Sequence, residues 1–233
     1  TTEIYTLSLH DALPICHSAF FIACGGAGVL IDPFITHNPL AVNMIKYENV
    51  KDILVTHGHM DHLGDSIQIS GDYGVPLTTI FELARYCTDN GANACGVGIG
   101  ARVAINGGFA KFLPAFHSSS TPEGQYAGMP ASILLELDGV RIYHAGDNCL
   151  NMEMKVIGET MPPDIALLPI GGTYTMGIDD AVVAAKWLGA KTVIPMHYNT
   201  FPTIVADEEE FKSKAEAAGL KCVILTPGDS IEL

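Results

Sequence analysis

The chain is short of positive charge. Its 233 residues carry 12 Lys and Arg against 26 Asp and Glu, a formal net charge of −14. A phosphate backbone is normally met by a basic face, so this balance disfavours nucleic acid as a partner. Long apolar runs are missing as well: none approaches the roughly 20 residues a membrane-spanning helix requires, and no membrane partner is expected. The six cysteines, Cys16, Cys24, Cys87, Cys95, Cys149 and Cys222, form no C-x-x-C pair and no dense framework. Reduced thiols and a cytoplasmic location follow as expectations. No Pro/Ser linker, repeat period or low-complexity tract divides the chain, and no G-x-S-x-G elbow surrounds Ser118, Ser119 and Ser120. What is present is apolar content sufficient for one core of moderate size.

That single domain is expected at 16–233. Residues 1–15, T-T-E-I-Y-T-L-S-L-H-D-A-L-P-I, are what a widely used short-read sequencing adapter yields when translated in one frame. They are read as foreign to the native chain and left out of the fold reasoning, His10 and Asp11 included. A leftover adapter base would open the next codon, which makes Cys16 a junction residue.

The densest chemistry lies at 56–65, T-H-G-H-M-D-H-L-G-D. His57, His59, Asp61 and His62 are ligand types suited to zinc and similar first-row ions, and they follow a short apolar run at 53–55 that reads as a strand. Side chains two apart on an extended segment point the same way, so His57 and His59 can grip one ion together. Asp61 and His62 come one turn later, and Gly58 and Gly64 permit sharp turns. Four ligands packed so closely crowd a single tetrahedral ion. Two ions are the simpler reading.

Further along, 18–23 and 29–31 read as a hairpin turning at Gly25-Gly26. Asp32 is expected to cap a turn rather than to support the site. His17, before the first of these strands, is a candidate to approach the site, but alone it is weak evidence. A strand at 75–80 and a helix at 81–90 closed by Gly91 precede a glycine-rich stretch, 95–110, read as turns. The strand at 111–115 leads to His117, and the Ser/Gly/Pro-rich segment 118–130 reads as a loop and candidate lid that contacts substrate. Strands at 133–137 and 140–143 flank Asp138-Gly139, a two-residue hairpin signal, and run into His144 and Asp147. His144 either supports the site or ends its strand at the surface. Helices at 151–159, 179–188 and 207–218 alternate with strands at 165–169, 192–195 and 221–225, and His197 follows the second of these. Tyr174, Thr175 and Tyr198 are candidate pocket residues. Two packed sheets with helices outside accommodate this order.

In these pieces the chain resembles the metallo-β-lactamase superfamily of binuclear metal hydrolases. The matching residues are T-H-G-H-M-D-H at 56–62, His117 after a strand, Gly-Asp at 146–147 and His197 after a strand, in the family's order. H-S-A-F at 17–20, I-D-P-F at 31–34, T-Y-T-M-G at 173–177 and I-P-M-H-Y-N-T-F-P at 194–202 look like its metal-dependent hydrolase branch related to ascorbate-6-phosphate lactonases. The resemblance implies an α/β fold, an αββα four-layer sandwich of two mixed β-sheets flanked by helices. It implies that His57, His59 and His117 hold a first metal and Asp61, His62 and His197 a second, with Asp147 bridging. The cofactors would be two divalent ions, zinc first, with manganese or iron also suited to the ligand set. The expected reaction is attack by a metal-bridging hydroxide on a small ester-like substrate such as a lactone, with Asp61 and Asp147 as catalytic residues and Asp61 or a metal-bound water returning a proton. A phosphodiesterase or nuclease on the same scaffold and a non-catalytic metal-binding module are the alternatives. A di-iron redox role would call for a flavin partner domain, of which the sequence shows no segment. The partner is a small-molecule substrate, and self-association into a homo-oligomer is compatible with all of this.

Overall fold

Two seven-stranded sheets absorb the apolar runs. The computed structural model describes residues 10–24, 27–41 and 45–232. The first sheet contains β1 (His10–Cys16), β2 (Ala19–Cys24), β3 (Ala27–Ile31), β4 (Val50–Leu54), β5 (Leu77–Ile80), β6 (Ala94–Val97) and the terminal β14 (Ile231–Glu232), in the order β14-β1-β2-β3-β4-β5-β6. The second contains β7 (Arg102–Ile105), β8 (Gly108–Pro114), β9 (Ala131–Leu137), β10 (Val140–His144), β11 (Ile165–Pro169), β12 (Thr192–Met196) and β13 (Lys221–Cys222), in the order β13-β12-β11-β10-β9-β8-β7.

Both sheets are mixed, for the same reason. Short connections make antiparallel neighbours, as in β2/β3, β7/β8 and β9/β10. Helical crossovers make parallel ones. Helices α1 (Met60–Leu63) and α2 (Ser66–Tyr73) carry the chain from β4 to β5, and α3 (Phe81–Asp89) from β5 to β6. Helices α4 (Glu153–Thr160), α5 (Ile178–Leu188) and α6 (Glu208–Ala217) do the same along β10 to β13.

Alternation along β2 shows how the layers divide. Phe20 and Ile22 face the second sheet and join a core with Phe112, Ile133, Tyr143 and Leu167, while Phe21 and Ala23 face the other way, with Leu83 and Cys87 of α3. Met154, Leu188 and Phe211 bring α4, α5 and α6 onto the outer face of the second sheet. The result is the helix, sheet, sheet, helix sandwich that was expected. No described helix is long and apolar enough to cross a membrane.

Two expectations change, and two strands lie where the sequence was not read for structure. The stretch 95–110 holds β6, β7 and the start of β8 rather than turns alone, because the strands are only four residues long and half-buried, with Gly98, Gly100 and Gly107 confined to the connections. The strand expected at 221–225 ends at Cys222, where its pairing with Thr192 and Val193 of β12 stops. The terminal β14, unread in the sequence, pairs with β1 through Asp11 and Ala12. Thus β1, drawn mostly from the segment read as foreign, lies inside the first sheet with Ala12 and Ile15 buried. The turn assigned to Gly25-Gly26 and residues 1–9 lie outside the described residues.

Candidate metal centre

The site begins where β4 runs out. Thr56 donates its backbone N–H to Asp32 Oδ1 (2.8 Å) and its hydroxyl to Asp32 Oδ2 (2.7 Å). Its carbonyl accepts the Ala131 N–H of the second sheet (3.0 Å), so this residue pins the sheets together. The chain then turns at Gly58, where an added Cβ would lie 2.7 Å from both Ala127 Cβ and Ser120 O. Ser119 Oγ accepts the Gly58 N–H at 3.1 Å, tying the 118–130 loop to this turn. The turn brings His57 Nε2 and His59 Nδ1 within 3.0 Å. Helix α1 starts at once and carries Asp61 and His62.

The other side chains arrive from strand ends of the second sheet. His117 follows β8, and Asn148 Oδ1 fixes its neighbour by accepting the Phe116 N–H (2.9 Å). Asp147 follows β10 through Gly146, whose φ of +58° and close approach to Ala131 O exclude a side chain. His197 follows β12 at φ +54°. The expected residues fall into two groups: His57, His59, His117 and Asp147 in one, His62, Asp61 and His197 in the other, joined there by His17. Within each group one ligand atom per residue lies within 4.8 Å of all the rest. Asp147 touches both, with Oδ2 3.2 Å from His117 Nε2 and Oδ1 3.0 and 3.1 Å from the Nε2 atoms of His62 and His197.

Three of these atoms, His62 Nε2, His197 Nε2 and Asp147 Oδ1, are buried and make no directed hydrogen bond. Leaving such atoms unpaired is costly. Imidazole nitrogens and carboxylate oxygens converging in two adjoining sets fit divalent first-row cations, which would satisfy all three.

For His62 and His57 the opposite ring nitrogen is engaged, whereas among the described residues His197 Nδ1 has no hydrogen-bond partner. Asp32 Oδ2 accepts from His62 Nδ1 at 2.7 Å, and Thr56 Oγ1 lies 3.1 Å from His57 Nδ1. Such partners orient an imidazole and leave its other nitrogen for a cation. Asp32 therefore supports the site, correcting the turn-capping role expected for it. A lone aspartate after a strand reads as turn chemistry until the fold sets it beside a histidine 30 residues away. His144 is fully buried, its Nε2 2.9 Å from Ser18 O and its Nδ1 accepting the Gly146 N–H (3.1 Å), so it braces the turn that presents Asp147 and is no surface residue. The pocket candidates divide: Thr175 is buried, Tyr198 partly buried and Tyr174 exposed.

Electrostatics separate the two groups. Burial, with the charge of His62 adding to it, pushes His57 well below the ordinary imidazole range, and burial also lowers His59 and His117. Burial acts the same way on His62 and His197, but there the Asp147 carboxylate wins. His62, also beside Asp32, rises well above its usual value and His197 rises to about 9. Burial opposes ionisation of Asp147 and Asp61, yet the surrounding histidines hold both carboxyls well below the usual range. Burial takes His17 down to about 4 against the pull of Asp61.

The structure brings His17, a weak candidate in the sequence, into the site together with Thr200, which the sequence did not single out. His17 Nε2 lies 3.1 Å from Asp61 Oδ2 and its Nδ1 3.0 Å from Thr200 Oγ1, while its carbonyl accepts the His197 N–H (3.0 Å). Partners 183 residues apart leave no spacing signal.

This fold and site have counterparts. Residues 15–197 match the family described as the Beta-lactamase superfamily domain, and the chain belongs to that superfamily. A UPF0173 metal-dependent hydrolase of Thermus thermophilus is 45% identical over 217 residues, covering 93% of this chain and 96% of the relative. One from Pelotomaculum thermopropionicum is 46% identical over 224 residues, covering 93% and 97%. Likeness of this extent places the chain among the UPF0173 metal-dependent hydrolases. Among solved structures, Igni18, a metallo hydrolase of Ignicoccus hospitalis, superposes with a TM-score of 0.86 at 38% identity, over 96% of this chain and 98% of that one.

Proposed function

We propose that the protein is a binuclear metal-dependent hydrolase acting on a small ester-like molecule such as a lactone. The observation that carries this reading is the pair of adjoining ligand groups with Asp147 touching both. His57, His59 and His117 would hold one cation, Asp61, His62 and His197 the other, and Asp147 both; zinc suits the nitrogen-rich set, as do manganese and iron. Bound there, two divalent cations supply Lewis acidity, acidifying a water and polarising the bond under attack.

The chain's own residues do the rest. Asp61, whose side chain keeps 27% of its surface exposed, takes the proton released by the attacking water and returns it to the leaving oxygen. Met60, between His59 and Asp61, and Phe116, next to His117, are 55% and 54% exposed and give apolar surface for a substrate's carbon skeleton. The net charge of −14 speaks against a nucleic-acid substrate and so for a small ester over the nuclease alternative.

The test is one metal-loaded preparation assayed against lactones, phosphodiesters and thioesters, beside a metal analysis. Two cations per chain and turnover of lactones are expected. Protein without a bound transition metal defeats the central claim, and turnover of phosphodiesters alone replaces the substrate class.

A further inference from the structure

The geometry points to His17 and Thr200 as positioning residues for the second cation: Thr200 orients the His17 ring, and His17 holds the Asp61 carboxylate in ligating position. The inference rests on the binuclear reading and adds two residues to it.

His17 lies among the second group, and the choice is between a further ligand and a support. The hydrogen bonds decide. His62 Nε2 and His197 Nε2 are buried and make no directed hydrogen bond, and the carboxylate oxygen beside them, Asp147 Oδ1 at 3.0 and 3.1 Å, is itself a candidate ligand of the group, which is the condition of nitrogens kept for a cation. His17 Nε2 already has a hydrogen-bond partner, Asp61 Oδ2 at 3.1 Å. A carboxylate can only accept, so Nε2 carries the proton and Nδ1 is the acceptor. Thr200 Oγ1, 3.0 Å from Nδ1, then donates to it. The hydroxyl also meets Tyr198 O, at a longer 3.4 Å, and the Cys16 thiol, which can donate to it. The donors thus run in one direction, Thr200 to His17 to Asp61.

The ring cannot drift from this line. It packs against His197 with centroids 3.9 Å apart, and Phe34 and Phe201 meet it edge-on at 6.0 and 5.5 Å. Its backbone is fixed as well, at φ +61° with the carbonyl held by His197 N–H. A carboxylate steered by an outer hydrogen bond is a common way to orient a metal ligand, and losing the outer partner typically costs roughly 10–100-fold in metal affinity.

The experiment measures the affinity of each of two zinc equivalents by chelator competition, in the wild-type chain and in four variants. His17→Leu should weaken one equivalent roughly 10–100-fold and leave the other unchanged. His17→Gln, whose amide can still donate to Asp61, should recover most of the loss. Thr200→Val should weaken the same equivalent by a smaller factor, and Thr200→Ser should match wild type. This hydroxyl pair keeps the proposal testable should His17→Leu not fold. Equal weakening of both equivalents, no weakening of either, or a His17→Gln loss as large as that of His17→Leu overturns the positioning role while the binuclear reading stands. A wild-type chain that binds no zinc overturns both.

Discussion

Asp32 serves three donors at once: Thr56 N–H, Thr56 Oγ1–H and His62 Nδ1–H. Asp32→Asn retains the shape but gives up one acceptor, and the expected result is a loss of roughly 10–100-fold in metal affinity with the fold intact, read by chelator competition and circular dichroism. A second prediction comes from the protons. In the metal-free protein at pH 7, His62 and His197 carry an extra proton, with His197 titrating only at about 9, whereas His57, His59 and His117 are neutral. A cation entering the His62 and His197 group must displace protons, so its affinity should fall as pH drops below about 9; the other group has none to displace. Calorimetry in buffers of different ionisation heat should find proton release with one equivalent and almost none with the other, and equal release with both would contradict the assignment. At this scale the sequence was legible where ligand types crowd together, at 56–62, or stand just past a strand. Asp32, His17 and Thr200 were not, because each is an ordinary residue alone and acquires a role only through a partner distant in the chain.

The elements split along similar lines. Helix α6 was legible in the sequence as a helix at 207–218, and the structure adds its cap: Asp207 Oδ1 accepts the N–H groups of Glu209 and Glu210 at 3.0 and 3.1 Å. Asp207→Ala should cost about 1 kcal/mol of stability, visible as a lower urea midpoint. Strands β6, β7 and β14 were illegible since two to four half-buried residues generate no period, and only the neighbouring strand defines them. Strand β1 gives a sharper test. It lies between β14 and β2 and buries Ala12 and Ile15, whatever the origin of its sequence. Removing residues 1–15 should lower the urea midpoint by stripping β2 of one of its two partners, yet leave the number of bound cations unchanged, as none of the proposed ligand residues lies there. A changed cation count would tie β1 to the chemistry.

On the scale of the whole molecule, the centre sits on the seam between the sheets. β4 of the first sheet feeds His57, His59, Asp61 and His62, and β8, β10 and β12 of the second feed His117, Asp147 and His197. Cations bound there stabilise the packed form over any in which the sheets part. At free metal 100 times the dissociation constant, each site adds about 2.7 kcal/mol, so chelation should lower the melting temperature markedly. The layer order was readable from strands alternating with helices; the seam was not, because pairing of the sheets is a long-range outcome. Its consequence is one of timing. His197 completes the second group, and its N–H is held by the carbonyl of His17 from the opposite end of the chain. A ribosome must therefore have released the chain through His197 before that group can close, which places capture of the second cation after the strands of both sheets that feed the centre have been made.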